Sequence, residues 1–165
     1  MAVAAGLLAF RFNSEQRSSL IGLEVLLAHP GGPYWANKDD GAWTVPKGLC
    51  EADEDLLPAA IREFSEETGY EPSTAIDFLP LGEIKMRSSS KRVHAWAFEM
   101  PSGSDFNPQT ATSNTFEIEW PPRSGKTQTF PEVDQVGWFH WGVAGRKLLE
   151  AQAPFVDRLC ELLTS

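Results

Sequence analysis

The stretch Gly48–Tyr70 reads GLCEADEDLLPAAIREFSEETGY, and its carboxylates carry most of the information in this sequence. Glu63, Glu66 and Glu67 stand at i, i+3 and i+4, so a helix places all three on one face. Like charges at this spacing repel by roughly 0.2–0.5 kcal/mol per pair. Arg62 is the only basic residue in the stretch. The pattern indicates either a solvated acidic face or a site for a hard cation such as Mg²⁺, which takes oxygen ligands.

The helix that carries these glutamates has clear sequence boundaries. Apolar residues recur at helical spacing over Leu56–Thr68, which predicts a helix there. Asp55 is the expected N-cap, and Pro58 falls in the first turn, where a missing N–H costs little. Gly69 is the expected C-terminal stop. The acidic residues therefore lie on a helix that follows a short, also acidic loop.

The same stretch resembles the Nudix box, GX5EX7REUXEEXGU, in which U is a bulky apolar residue. Gly48, Glu54 and the run Arg62–Tyr70 match all of its fixed Gly, Glu and Arg positions. Tyr70 departs mildly, because an aliphatic residue is usual there. The resemblance implies an α/β fold, a Nudix-type α/β/α sandwich with a mixed β-sheet, formed by residues 1–165 as one domain.

The resemblance also implies a reaction and the residues for it. The implied activity is hydrolysis of a nucleoside diphosphate linked to another group, with Mg²⁺, or alternatively Mn²⁺, as cofactor. The implied metal ligands are Gly48, through its carbonyl, and Glu63, Glu66 and Glu67. These glutamates are also the implied catalytic residues, and Arg62 is grouped with them because it holds them by charge pairing. Glu54 is expected to brace the loop against the helix.

A further carboxylate from outside the box is expected, because members of this family often recruit one. Thr115–Trp120 alternates apolar and polar residues, as a half-buried strand does. Glu117 and Glu119 share the polar face of that strand, so they are the candidates for the extra carboxylate. Simple solvent exposure is the alternative explanation for either one.

Substrate-binding residues are expected beside the box. The run WTVPKG over residues 43–48 resembles the WxxPKG variant of Nudix enzymes that act on dinucleoside polyphosphates or diphosphoinositol polyphosphates. Lys47 would then contact a phosphate. Arg87 belongs to a basic cluster at a predicted hairpin tip, and Tyr34 and Trp35 lie in a loop where they could stack on a base. The remaining basic candidates are Lys85, Lys91 and Arg92 in the same cluster, and Arg123 and Lys126 in a later Pro-rich turn.

Hydrophobic patterning predicts a mixed arrangement of strands and helices around the box. The predicted strands are Val3–Phe12, Leu23–His29, Phe78–Met86, Arg92–Phe98, Thr115–Trp120 and Val136–Trp141. The predicted C-terminal helices are Val143–Ala151 and Pro154–Leu163, the second with an apolar stripe of Phe155, Leu159 and Leu162. Trp43, Trp96, Trp120 and Trp138 are predicted to be core residues. His29, His94 and His140 have no metal-ligand spacing and are expected to be structural.

Composition limits the possible functions. The chain has 165 residues, 42% of them hydrophobic, and a net charge of −9. This charge excludes a basic footprint for duplex nucleic acid and leaves a small phosphorylated nucleotide as the expected partner. Two cysteines form no disulfide framework, and no apolar run is long enough for a membrane span, so a cytoplasmic location is expected. A non-catalytic, nucleotide-binding Nudix domain is the alternative to an enzyme.

Overall fold

The computed structural model describes residues 2–13, 15, 19–73, 76–87 and 89–165. Within these residues the chain forms eight strands and three helices. The strands are β1 (Val3–Phe12), β2 (Leu23–Pro30), β3 (Lys47–Leu49), β4 (Leu79–Lys85), β5 (Arg92–Glu99), β6 (Thr115–Glu119), β7 (Thr127–Pro131) and β8 (Val133–His140). The helices are α1 (Leu56–Thr68), α2 (Trp141–Lys147) and α3 (Ala153–Thr164).

Six strands form one mixed sheet in the order β4-β5-β1-β2-β8, with β3 paired to β1. β1 is parallel to β5 and antiparallel to β2 and β3. β3 pairs with Ala4–Gly6 at the start of β1, whereas β2 pairs with Phe10–Phe12 at its end. The short β3 therefore fills the space beside β1 where β2 has diverged, and this places Gly48 next to α1. β6 and β7 form a separate two-stranded sheet.

Helices cover both faces of the main sheet, which confirms the α/β/α sandwich. Alternate residues of β1 enter different cores, because side chains of a strand point to opposite faces. Leu7 packs with Phe64 of α1 in one core cluster, and Leu8 packs with Phe155 and Leu159 of α3 in the other. All five of these side chains are fully buried. The sheet therefore holds α1 by its apolar face and leaves its other face available.

The predicted helix over the box is confirmed, with the predicted first and last residues. Gly69 ends it in the left-handed region at φ 77°, and its N–H donates to the carbonyl of Ser65. Asp55 has the extended backbone of an N-cap, but its side chain makes no capping hydrogen bond. One reason is that Pro58 stands at the third helical position and has no N–H to donate.

Three features of the rest of the chain differ from the predictions, and one of them is a strand that the sequence analysis does not include. β7 was not predicted, because TQTFP is mostly polar and becomes a strand only by pairing with β6. β8 begins at Val133, and Trp141 starts α2 instead of ending the strand. Leu162 does not continue the apolar stripe of α3, since 44% of its surface is exposed. The first two errors reflect pairing and chain reversal, which are not local properties of the sequence.

Trp120 also differs from its predicted place in the core. It follows β6, lies half-buried, and packs edge-to-face on Tyr34 with ring centroids 5.3 Å apart. Trp43, in contrast, is 5% exposed, and Trp96 and Trp138 pack against a core cluster as predicted. The strand that carries Trp120 does not join the main sheet, so its apolar face meets a loop.

None of the described helices is long and apolar enough to cross a membrane.

Candidate active site

A cavity of about 400 Å³ lies between α1, β3 and the segment that joins β7 to β8. Four carboxylates line it, namely Glu63, Glu66, Glu67 and Glu132. Its other lining residues are Pro30, Thr44, Lys47, Gly48, Leu49, Lys91, Asn114 and Val133. The three helix glutamates of the predicted site thus share one cavity with Gly48 and Lys47, together with two residues, Glu132 and Lys91, that come from distant parts of the chain.

Arg62 holds the acidic residues around it through a branched set of hydrogen bonds. Its guanidinium donates to both carboxylate oxygens of Glu54 at 2.8 and 2.9 Å. The same group donates to Glu63 at 3.0 Å and to Glu66 at 3.2 and 3.3 Å. It also donates to the Leu49 carbonyl at 3.3 Å. Arg62 thereby ties the loop before α1 to the helix, as its predicted positioning role requires.

Glu54 belongs to this bracing network and does not line the cavity. Its carboxylate accepts a second kind of hydrogen bond, from the backbone N–H of Glu51 at 2.9 Å. The hydrogen bonds from Arg62, followed by that from Glu51, lower the pKa of Glu54 to about 2. Glu54 therefore stays ionised at neutral pH and fixes the loop before α1 to Arg62.

Gly48 is required by the close approach of β3 to α1. A Cβ atom at this position would overlap the carboxylate of Glu63. On the neighbouring residue, the backbone N–H of Lys47 donates to Glu67 at 3.3 Å. Two of the three helix glutamates, Glu63 and Glu67, thus lie directly beside the backbone of β3. With any side chain larger than hydrogen at residue 48, the Glu63 carboxylate would have to shift from its present position.

Burial shifts the proton affinities of the cavity residues. Burial is the largest cause of the raised pKa of Glu67, and the neighbouring charges of Glu63 and Glu132 raise it further, whereas Lys47 opposes the shift. The pKa of Glu63 is raised for the same main reason. Burial lowers the pKa of Lys47, and the nearby Lys91 lowers it further. Desolvation is thus a larger cause of the raised pKa values of Glu63 and Glu67 than repulsion between carboxylates.

Glu132 is the carboxylate outside the box that reaches this cavity. Its backbone is held from two sides: its N–H donates to Asn114 at 2.8 Å, and its carbonyl accepts from Gly31 at 2.9 Å. Asn114 in turn donates to the Glu66 carbonyl at the end of α1. The position between two strands was the available signal, but the sequence does not show that this point returns to the helix.

The structure places Glu117 and Glu119 elsewhere. Both are exposed on the β6–β7 hairpin, and neither lines the cavity. Glu119 accepts a hydrogen bond from the backbone N–H of Arg123 at 2.9 Å, within its own hairpin. Their alternation with apolar residues is as predicted.

Of the predicted basic residues, some line the cavity and others do not. Arg87 lies outside the cavity lining and pairs with Glu150 at 2.7 Å on an exposed surface. Lys91, from the same predicted cluster, lines the cavity beside Lys47. The two residues differ because they stand on opposite sides of the β4–β5 turn, where the Lys91 carbonyl accepts from Met86. Tyr34 and Trp35 do not line the cavity either; Tyr34 meets Trp120, and the Lys38 ammonium lies 5.0 Å above the Trp35 ring.

The donor set of the cavity fits a hard divalent cation. Carboxylate oxygens are ligands that Mg²⁺ prefers, and four carboxylates line this cavity. Burial disfavours the charged forms of two of them, Glu63 and Glu67, and a bound cation would offset this cost. Among the described residues no three acidic, His or Cys side chains are already arranged around a common metal position. Arg62 accounts for this, since it now binds Glu63 and Glu66. These two side chains would have to turn from Arg62 toward a cation.

Comparison with known proteins agrees with this fold. A family model of the NUDIX domain matches residues 3–159. No curated protein sequence matches the chain. Solved structures with the same fold include an Ap4A hydrolase binary complex from C. elegans, with a TM-score of 0.61 and 19% identity, covering 99% of this chain and 98% of that one.

Two further structures extend the likeness. The NUDIX domain of Shewanella oneidensis NrtR complexed with ADP ribose has a TM-score of 0.61 and 18% identity, covering 98% of this chain and 88% of that one. A mutT/nudix family protein from Listeria innocua has a TM-score of 0.61 and 18% identity, covering 99% and 94%.

The fold, the complete box and the family match together define a hydrolase of phosphoric anhydride bonds. The chain belongs to the Nudix family, whose members generally use divalent metal ions.

Proposed function

We propose that this chain is a divalent-metal-dependent pyrophosphohydrolase that cleaves a nucleoside diphosphate linked to another moiety. The observation that carries the proposal is the convergence of Glu63, Glu66, Glu67 and Glu132 with two lysines in one cavity. A bound polyphosphate is stabilised both by a metal ion held by carboxylates and by direct positive contacts, and this cavity offers residues for both. The C. elegans neighbour is an Ap4A hydrolase, which supports a nucleotide substrate of this kind.

The residues divide into three roles. The Gly48 carbonyl and the glutamates Glu63, Glu66 and Glu67 would hold the metal, with Mg²⁺ the expected ion and Mn²⁺ the alternative. When bound, such an ion neutralises the phosphates, polarises the reacting phosphoryl group and activates water. Arg62 positions the glutamates and keeps the preceding loop in place.

Glu132 is assigned to accept the proton of the attacking water. It reaches the cavity from the segment before β8, and among the described residues its carboxylate forms no ion pair with Arg62 or another cation. A carboxylate that is not engaged by Arg62 is free to contact a water molecule and accept its proton. Because two main-chain hydrogen bonds hold its backbone, the side chain starts from a defined position.

Lys47 and Lys91 are assigned to the phosphate chain of the substrate. Both line the cavity, and their ammonium groups repel each other when no anion lies between them. A phosphate oxygen placed between them would relieve this repulsion and gain charge-assisted hydrogen bonds. We therefore rank dinucleoside polyphosphates first as substrates and nucleoside triphosphates second. A diphosphoinositol polyphosphate ranks lower because a chain with a net charge of −9 offers no broad basic surface.

A substrate panel tests the proposal. Diadenosine tetraphosphate, ATP and ADP-ribose are incubated with Mg²⁺, with Mn²⁺ and with EDTA, and the products are identified by chromatography. We expect metal-dependent cleavage, with the highest kcat/KM for diadenosine tetraphosphate. Binding of these nucleotides without cleavage by any metal would instead identify a non-catalytic nucleotide-binding domain.

The lysine assignment has its own variants. Lys47→Ala and Lys91→Ala should each lower kcat/KM by about 10- to 150-fold, since each removes a charge-assisted hydrogen bond of roughly 1.5–3 kcal/mol. Lys85→Ala is the matched control, because Lys85 is exposed and lies outside the cavity. Preference for ADP-ribose with no effect of Lys47→Ala would overturn the substrate ranking and leave the hydrolase assignment in place.

A further inference from the structure

The β6–β7 hairpin carries apolar side chains that serve neither core of the protein. Phe116, Ile118, Trp120 and Phe130 are all half-buried. Among the described residues, none of these four belongs to either core cluster or packs against one. A two-stranded sheet gains little stability by itself in water. The apolar face of this hairpin therefore needs an explanation other than core formation.

A loop after β2 covers part of that face and is fitted closely to it. Gly31 approaches the Pro131 backbone so closely that a Cβ atom would overlap the Pro131 carbonyl. A Cβ on Gly32 would lie 2.9 Å from the Phe116 ring. Further along, the Tyr34 ring meets Trp120 edge-to-face. The loop and the hairpin are thus held in a fixed relation, and Tyr34 and Trp120 form an aromatic pair at its outer end.

This aromatic pair is continuous with the candidate active site. Pro30 lines the cavity and begins the loop, and Glu132 lines the cavity and follows the hairpin. The hydrogen bond from Gly31 to the Glu132 carbonyl joins the two at the cavity rim. Tyr34 is four residues beyond Pro30, so the Cα atoms of these two residues lie at most about 14 Å apart. The pair is therefore within reach of a nucleotide whose phosphates lie in the cavity.

The pair is also accessible and lies near positive charge. Tyr34 is 57% exposed, which is unusual for an aromatic residue held by two elements. The hairpin tip carries Arg123 and Lys126, and neither forms an ion pair with another described residue. An exposed aromatic surface with unpaired cations beside it suits an anionic ligand with a flat ring system. A nucleotide has both properties.

We propose that Tyr34 and Trp120 form a nucleobase-binding platform, on which a base of the substrate stacks while its phosphate chain occupies the carboxylate cavity. This inference rests on the proposed function for the position of the phosphates. It assigns the loop after β2 and the β6–β7 hairpin to substrate selection.

The test separates stacking from simple packing of the hairpin. Tyr34→Leu and Trp120→Leu keep apolar volume and lose the aromatic face, whereas Tyr34→Phe and Trp120→Phe keep it. Trp141→Phe is the control, because Trp141 is an exposed aromatic residue bonded to the Leu20 carbonyl, away from the cavity. Dissociation constants are measured by calorimetry with Mg²⁺ for a methylene-bridged analogue of diadenosine tetraphosphate and for inorganic tripolyphosphate, which has no base.

We expect each Leu variant to weaken binding of the analogue by roughly 5- to 100-fold, the range of one base-aromatic stack, and to leave tripolyphosphate binding unchanged. The Phe variants and Trp141→Phe should bind both ligands like the wild type. Equal weakening of both ligands by the Leu variants, or no weakening of either, would overturn the platform. A wild type that binds the analogue no more tightly than tripolyphosphate would overturn it as well.

These outcomes are distinct from failure of the proposed function. If the analogue binds and the Leu variants weaken it, but diadenosine tetraphosphate is not cleaved, the platform stands and the hydrolase activity does not. If cleavage is observed and the Leu variants behave like the wild type, the reverse holds. Melting temperatures of all variants are compared first, so that if one Leu variant fails to fold, the Leu variant at the other position carries the test.

Discussion

Helices α1 and α3 pack on opposite faces of the same sheet, and their apolar faces are built alike. Each buries one fully enclosed aromatic anchor, Phe64 in α1 and Phe155 in α3. Burial of such a side chain contributes roughly 1.5–3 kcal/mol in either case. Their polar faces differ: α1 turns its glutamates into a cavity, whereas α3 turns Glu161 to solvent.

The arginines on the two helices show what this difference means. Arg158 of α3 donates to the carbonyls of Leu81 and Glu83, so it satisfies the backbone of a neighbouring strand. Arg62 of α1 donates to three carboxylates, so it compensates charges that the fold has concentrated. An apolar face is enough to dock a helix. Whether its polar face becomes a site depends on what the fold places opposite to it.

The largest expected effect comes from removing one buried charge of α1. Glu67→Gln should lower kcat by roughly 10²- to 10⁴-fold, because it removes a proposed metal-facing carboxylate, while the amide oxygen can still accept from the Lys47 N–H. Thermal stability without metal should stay level or rise, since Gln cannot ionise at a position where burial disfavours the carboxylate. Glu66→Gln should act in the same direction.

Glu161→Gln on α3 is the matched control for this prediction, and it should change neither turnover nor stability because Glu161 is exposed. Near-normal turnover of Glu67→Gln at saturating Mg²⁺ would remove Glu67 from the site.

The next largest effect concerns the two arginines. Arg62→Ala should lower the free energy of unfolding by about 2–4 kcal/mol, since it breaks several charge-assisted hydrogen bonds and leaves Glu63 partly buried without its cation. Arg158→Ala should cost about 1–2 kcal/mol, because its partners are neutral carbonyls. Denaturant titration measures both values.

Metal affinity distinguishes the arginines further. We expect Arg62→Ala to weaken metal binding along with stability, whereas Arg158→Ala should leave metal binding unchanged. If Arg62→Ala altered turnover alone, with melting temperature and metal affinity intact, Arg62 would act directly in the reaction and not as a positioning residue.

A further expected effect is the pH dependence of stability without metal. Burial raises the pKa of Glu67 from 4.5 to about 8, so the folded state binds this proton more tightly than the unfolded state does. The contribution of Glu67 to stability is therefore complete below pH 4.5 and is lost as the pH rises toward 8. Relative to Glu67→Gln, the wild type should lose stability over this interval.

The pH dependence of stability that Glu54 contributes has the opposite sign. Its pKa is lowered to about 2, so its contribution to stability is present above pH 4.5 and is lost as the pH falls toward 2. Denaturant titrations of wild type and Glu67→Gln from pH 4 to 8 measure the first effect. Parallel curves for the two proteins would mean that the Glu67 carboxyl titrates normally in the folded chain.

Much of the site could be predicted because its residues are close in sequence. Helical spacing alone puts Glu63, Glu66 and Glu67 on one face, and the structure confirms the helix that carries them. Arg62 and Glu54 also act within this segment, so their charge pairing is a local property. The apolar runs of β1 and β2 likewise identified two buried strands, since continuous burial leaves a clear signal in composition.

Residues that reach the site from elsewhere could not be predicted in this way. Glu132 enters the cavity, instead of Glu117 or Glu119, because the β6–β7 pairing and two main-chain hydrogen bonds return the chain to α1. Lys91 enters it, instead of Arg87, because the β4–β5 turn puts them on opposite sides.

The sequence by itself thus determined which helix carries the chemistry, because helical periodicity and capping act over a few neighbouring residues. Only the tertiary structure decided which distant carboxylate and lysine stand opposite that helix. Those positions depend on strand register and on the pairing of β2 and β3 with different parts of β1. A shift of one residue in a strand moves every side chain to its other face.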